Sequence, residues 1–126
     1  MNIPDNLKYT KDHEWLKVEG NEALVGITDF AQGELGDVVF VEIETVGESI
    51  DIEEPFGTIE AVKTVSDIYM PISGEILEKN PKLESNPEVI NKDPYGDGWM
   101  IRIKITNPAE VEELMTAAQY QEQLGI

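Results

Sequence analysis

The chain has no cysteine. Disulfides, thiolate metal ligands and a cysteine nucleophile are therefore excluded, and thiols give no reading of the redox compartment. Histidine is nearly absent as well, with His13 the single one. Positive charge is scarce: 9 Lys and Arg stand against 26 Asp and Glu, a net charge of −17. Such a surface repels phosphate backbones and anionic headgroups, so nucleic acid and membranes are not expected as partners; basic or cationic partners are favoured. No apolar run reaches the length a bilayer span needs. Met1-Asn2-Ile3-Pro4-Asp5 holds no basic stretch leading into an apolar one, and a soluble, cytoplasmic protein is expected. There is no glycine-rich phosphate loop, and no nucleophile–base pair or metal-ligand cluster at a convincing spacing. The chain is poorly equipped to be an enzyme unaided.

What is present is a β-rich pattern. The length of 126 residues suits one compact domain over 1–126. The acids are interleaved with Val, Ile and Leu rather than massed in a tail, which argues for a folded chain and not a disordered one. Strand-like runs cover residues 13–18, 23–27, 57–62, 64–69, 74–79 and 99–105, the first two joined by turn chemistry at Glu19-Gly20-Asn21. Val38-Val39-Phe40-Val41-Glu42-Ile43 is a near-continuous apolar run, and a buried strand is expected there. In 99–105, Ile101, Ile103 and Ile105 alternate with Arg102 and Lys104, so the two sets take opposite faces.

Helices are short. Thr28-Asp29 caps a brief one through Gln32, ending near Gly33 or Gly36. Asn107-Pro108 places a cap and a first-turn proline before 109–114. Thr116 starts a terminal helix over 117–124, with Tyr120 and Leu124 on one face, read as a docking element without a direct role. Ser85 to Gly98 holds Asn86-Pro87, Asp93-Pro94, Gly96 and Gly98 and reads as an irregular connection. Together these features give a mainly β fold, a sandwich or flattened barrel with small helices at its edges.

The most informative segment runs from Gly57 to Gly74. Two strand-like runs flank Lys63, which places it at a hairpin tip. Val62-Lys63 lacks the Asn-Gly or Gly chemistry of two-residue hairpins, so the turn must be held by its surroundings. Departures of this kind concentrate at functional sites. A lysine on a protruding tip is open to a modifying enzyme. Acylation of its amine would remove the charge and add a tether.

Glu60-Ala61-Val62-Lys63-Thr64-Val65-Ser66-Asp67 resembles the lipoyl-attachment segment of glycine cleavage H proteins. Met70-Pro71-Ile72-Ser73-Gly74-Glu75-Ile76 resembles the strand and turn that follow. The resemblance extends to Lys11-Asp12-His13-Glu14-Trp15, to 26–32, to 35–42 and to Asp93-Pro94-Tyr95-Gly96-Asp97-Gly98-Trp99-Met100, in order along nearly the whole chain. A biotin carrier would instead have methionines on both sides of the lysine. The resemblance implies a barrel-sandwich hybrid of the lipoyl/biotinyl-carrier type, with short peripheral helices and a C-terminal helix. It implies lipoic acid covalently attached to Lys63, and a shuttle in glycine catabolism and one-carbon metabolism. The implied partners are a pyridoxal-phosphate glycine decarboxylase that loads an aminomethyl group, a tetrahydrofolate-dependent aminomethyltransferase, a dihydrolipoyl dehydrogenase, and a lipoate ligase or lipoyl/octanoyl transferase. A monomer is expected. Glu14 and Asp67 match positions lining the cleft where family members park the loaded arm, and they are the candidates for holding its ammonium. His13 is expected to pack or cap. Asp12, Phe30 and Glu34 differ from the serine and histidines of plant members, so the cleft lining differs there. Two other roles fit the same sequence: a lipoyl relay serving other complexes, and an unmodified acidic interaction domain.

Overall fold

A computed structural model describes residues 1–126. Nine strands form two antiparallel sheets. The strands are β1 (Lys8–Tyr9), β2 (Glu14–Glu19), β3 (Glu22–Ile27), β4 (Val38–Glu42), β5 (Ser49–Ile50), β6 (Pro55–Ala61), β7 (Val65–Tyr69), β8 (Gly74–Lys79) and β9 (Ile101–Ile105). The larger sheet has the order β1-β2-β3-β9-β8-β5 and the smaller has β4-β6-β7. Helices α1 (Asp29–Leu35), α2 (Lys82–Ser85), α3 (Val89–Lys92) and α4 (Ala117–Leu124) lie at the edges, with a 3-10 turn over Pro108–Glu113.

Alternation along the strands builds the core between the sheets. Ile101 and Ile103 are fully buried, while Lys104 opposite them is exposed. They join Leu16, Val25 and Ile76 from the larger sheet and Phe56, Ile59 and Ile68 from the smaller one. A second apolar cluster, Leu7, Tyr9, Trp15, Ala117 and Tyr120, ties α4 to β1 and β2. Trp15 explains one glycine: a Cβ on Gly26, its cross-strand partner, would lie 2.7 Å from the indole ring. The indole N–H donates to the Pro94 carbonyl at 2.9 Å, fastening the 93–99 loop to β2.

Three expectations need correction. The run 38–43 is not a buried strand: Val39 and Phe40 are about half exposed. The ladder with β6 is irregular between Val38 and Phe40, and β4 is an edge strand. Only Val38 and Ile43 of the run are buried. The connection 85–98 is not wholly irregular, because α3 forms inside it, anchored by the buried Ile90. At 107–113 the turn is 3-10, and Asn107 makes no side-chain cap; its carbonyl instead accepts from Glu110 N–H at 3.1 Å. Thr28 and Thr116 do cap, and Thr116 forms a full capping box with Gln119.

Candidate functional site

Lys63 sits in the turn between β6 and β7, with Val62, Lys63, Thr64 and Val65 all exposed. The Ala61 N–H donates to the Thr64 carbonyl at 2.7 Å and closes the turn. No residue from 62 to 64 has positive φ, so the turn forms without glycine-type backbone. Its support comes from outside. The Val62 N–H donates to the Asp37 carbonyl at 3.0 Å, joining the tip to the start of β4. Asn91 of α3 holds that start: its Oδ1 accepts from Val38 N–H at 2.9 Å and its Nδ2 donates to the Gly36 carbonyl at 2.8 Å and to Gln32 Oε1 at 3.0 Å. The stem of Lys63 lies over Gly36, the C-cap of α1, whose φ is 79°. A Cβ at Gly36 would meet Lys63 Cε at 3.4 Å. Neither Asn91 nor Gly36 stands out in the sequence as part of the site. An amide in an irregular segment gives no local signal of the backbone it will reach.

On the outer face of the small sheet, Phe40, Glu60 and Val65 form one cross-strand row. All three are exposed, and the row stands directly beside the tip.

A cleft of about 320 Å³ lies between β7, α1 and the Lys11–Glu14 segment. Both predicted acids line it, Glu14 and Asp67, together with His13, Phe30, Leu35 and Ile68. At ~3.3 Å per residue for extended chain, Asp67 lies no more than roughly 13 Å along the backbone from Lys63. A flexible chain on Lys63 therefore has an apolar wall to follow and carboxylates to reach, so the residues present fit a long acyl arm.

The two acids differ. Asp67 is exposed at the rim. Glu14 is only 2% exposed. Its Oε1 accepts from the Thr10 hydroxyl at 2.8 Å. Burial pushes its carboxyl up to about 7, with the Thr10 hydroxyl and the Tyr69 backbone amide pulling the other way. No cation pairs with it directly, and Lys11 acts on it only at longer range. The adjacent lysine, Lys11, turns to Glu53 at 3.1 Å instead.

His13 does pack. Its ring lies 4.7 Å from that of Phe30, and its Nδ1 is 2.8 Å from the Tyr120 hydroxyl. Burial lowers its pKa, against the raising effect of Asp12 and Glu34.

Known proteins are similar to this chain in sequence and fold. The family described as Glycine cleavage H-protein matches residues 7–125. The glycine cleavage system H protein of Salinibacter ruber is 60% identical over 97% of this chain and 98% of its own length. That of Bacteroides thetaiotaomicron is 58% identical over 96% of each. The crystal structure of such a protein from Mycobacterium marinum superposes with a TM-score of 0.89 at 42% identity, over 98% of this chain and 100% of the other. The chain belongs to the glycine cleavage H-protein family, the lipoyl shuttle of the glycine cleavage system and not one of its catalysts.

Proposed function

We propose that Lys63 carries the lipoyl group in this chain, and that Glu14 and Asp67 hold the amine of the one-carbon cargo between visits to partner enzymes. The observation that carries this reading is a clamped, exposed lysine tip beside a cleft lined by a buried carboxyl that has no direct ion-pair partner. The lipoyl group, when bound, supplies a sulfur pair that can be oxidised, reduced and loaded. The protein supplies position and surroundings.

Magnitudes support the role of Glu14. Raising its pKa from 4.5 to about 7 means that ionising it inside the fold costs roughly 3 kcal/mol more than in water. A primary ammonium about 4 Å away gains about 4 kcal/mol from the ionised form at an effective dielectric of ~20. Arrival of the amine thus offsets the burial cost of Glu14, whose proton passes to solvent as the pair forms. Asp67, at the wet rim, contributes less because solvent screens it.

Val62, 75% exposed, and Val65, 62% exposed, flank the lysine and give an attaching enzyme apolar contacts. The partners in this reading are a lipoate ligase or lipoyl/octanoyl transferase, the pyridoxal-phosphate decarboxylase, the tetrahydrofolate-dependent aminomethyltransferase and the dihydrolipoyl dehydrogenase. Residues 1–126 act as one carrier domain and a monomer, in a cytoplasmic setting. No helix is long and apolar enough to cross a membrane.

Intact mass after incubation with lipoate, ATP and a lipoate ligase tests the attachment. One lipoyl adduct is expected, on the Lys63 peptide, and none on Lys63→Arg. A bare wild-type chain, or an adduct that survives Lys63→Arg, refutes it. For the cleft, loaded Glu14→Gln should lose its amine faster than the wild type; an equal rate removes Glu14 from the reading.

A further inference from the structure

We propose that Tyr120, on the C-terminal helix, is a positioning residue for the arm cleft, holding the His13–Glu14 corner through its hydroxyl. This rests on the reading of Glu14 as the receiver of the cargo amine.

His13 has φ of 69°, the left-handed position that closes the β1–β2 hairpin, where a non-glycine residue carries a conformational cost that further contacts can offset. Its backbone is fixed on two sides: the Thr28 N–H donates to the His13 carbonyl at 3.0 Å, and the His13 N–H to the Thr10 carbonyl at 3.2 Å. Glu14 follows immediately, and its N–H donates to Thr10 Oγ1 at 3.1 Å. The φ held at His13 therefore sets the direction in which the Glu14 side chain leaves the backbone.

Tyr120 reaches this corner from 107 residues away in sequence. Its ring is placed by stacking on Tyr9, with centroids 4.8 Å apart and planes within 2°. Its hydroxyl then meets two groups, His13 Nδ1 at 2.8 Å and Thr28 Oγ1 at 2.7 Å. The chain of bonds has one polarity in which every proton is used. Ala31 N–H donates to Thr28 Oγ1; the Thr28 hydroxyl donates to Tyr120; the Tyr120 hydroxyl donates to a neutral His13. Reversing it with a protonated imidazole would leave the Thr28 proton without an acceptor. One turn further along α4, Gln123 Nε2 donates to the Lys11 carbonyl at 3.1 Å. The helix thus holds the Lys11–Glu14 segment at two points. It also sets one wall of the cleft, because the His13 ring that Tyr120 orients lies against Phe30.

Tyr120→Phe tests this, since the ring and its stack on Tyr9 remain while the hydroxyl goes. The lipoylated proteins to compare are wild type, Tyr120→Phe, Gln123→Ala and Glu14→Gln. In Tyr120→Phe, the His13 titration should move to higher pH by NMR, because the hydroxyl that donates to its neutral form is lost while its burial and the facing Asp12 and Glu34 remain. Amide exchange at His13 and Glu14 should quicken roughly fivefold, the scale of one lost hydrogen bond, with Ile76 and Ile103 unchanged. Amine loss from the loaded protein should quicken as well, to between the wild-type and Glu14→Gln rates. Gln123→Ala should show the same exchange effect, more weakly. Unchanged His13 titration and exchange in Tyr120→Phe overturn the proposal. So does wild-type amine retention in Tyr120→Phe when Glu14→Gln has lost it. If Glu14→Gln itself retains the amine, the reading of Glu14 fails instead, and titration and exchange still decide whether Tyr120 holds the corner.

Discussion

The region around α4 and the small sheet β4-β6-β7 treat similar strand sequences in opposite ways. Where β1 and β2 meet α4, side chains on the far side of the larger sheet are sealed under a second apolar cluster, with Tyr9, Trp15 and Tyr120 fully buried. On the small sheet nothing covers the outer face, and Phe40 remains 52% exposed. The closed side anchors the strand that carries Glu14; the open side leaves Lys63 exposed at its tip, as the proposed carrier role requires. The chain separates the part that must be still from the part that must be visited.

The contrast can be tested first by truncation on both sides. Trp15→Ala removes a buried indole and its bond to Pro94, and should cost about 3–5 kcal/mol in urea unfolding. Phe40→Ala on the open face should stay within about 0.5 kcal/mol. Equal losses would erase the distinction.

A pH series sharpens the closed side. The folded pKa of Glu14 is raised, so its contribution is fully present below 4.5 and is lost as pH rises through about 7. Glu14→Gln should therefore gain on the wild type by up to roughly 3 kcal/mol above that range and lose the advantage in acid, as thermal melts at pH 5 and pH 8.5 would show. An advantage that grew as pH fell would contradict the buried carboxyl.

The smallest effect concerns the clamp beneath the open side. Asn91→Ala frees Gly36 and Val38, and should cost about 1–2 kcal/mol. A fall in kcat/KM for lipoate attachment should accompany it. Stability loss with unaltered attachment would show that the tip does not depend on this clamp.

Much of this was legible in the residues. Alternation in 101–105 gave its buried and exposed faces, Thr28 and Thr116 marked true caps, and the unsupported turn at Lys63 pointed to outside help, which Asp37 supplies. Family resemblance paired Glu14 with Asp67, and both line one cleft. What failed or went unseen depended on tertiary surroundings. An apolar run such as 38–43 does not say whether a second layer will cover it. Asn91 and Tyr120 act through hydroxyl and amide groups on partners 53 to 107 residues away, and no local pattern encodes such a reach. The terminal helix reads as a plain docking element in the sequence, yet its Tyr120 hydroxyl touches the imidazole that borders the cleft.

The turn at residues 61–64 has one more consequence. Since no position in it requires left-handed backbone, Val62 and Thr64 serve the turn through their N–H and carbonyl groups rather than their side chains. Their side chains can be exchanged without rebuilding the loop. The surface a modifying enzyme would read is thus free to drift with that enzyme while the lysine keeps its place, which makes the tip a natural spot for retargeting the protein to a foreign ligase.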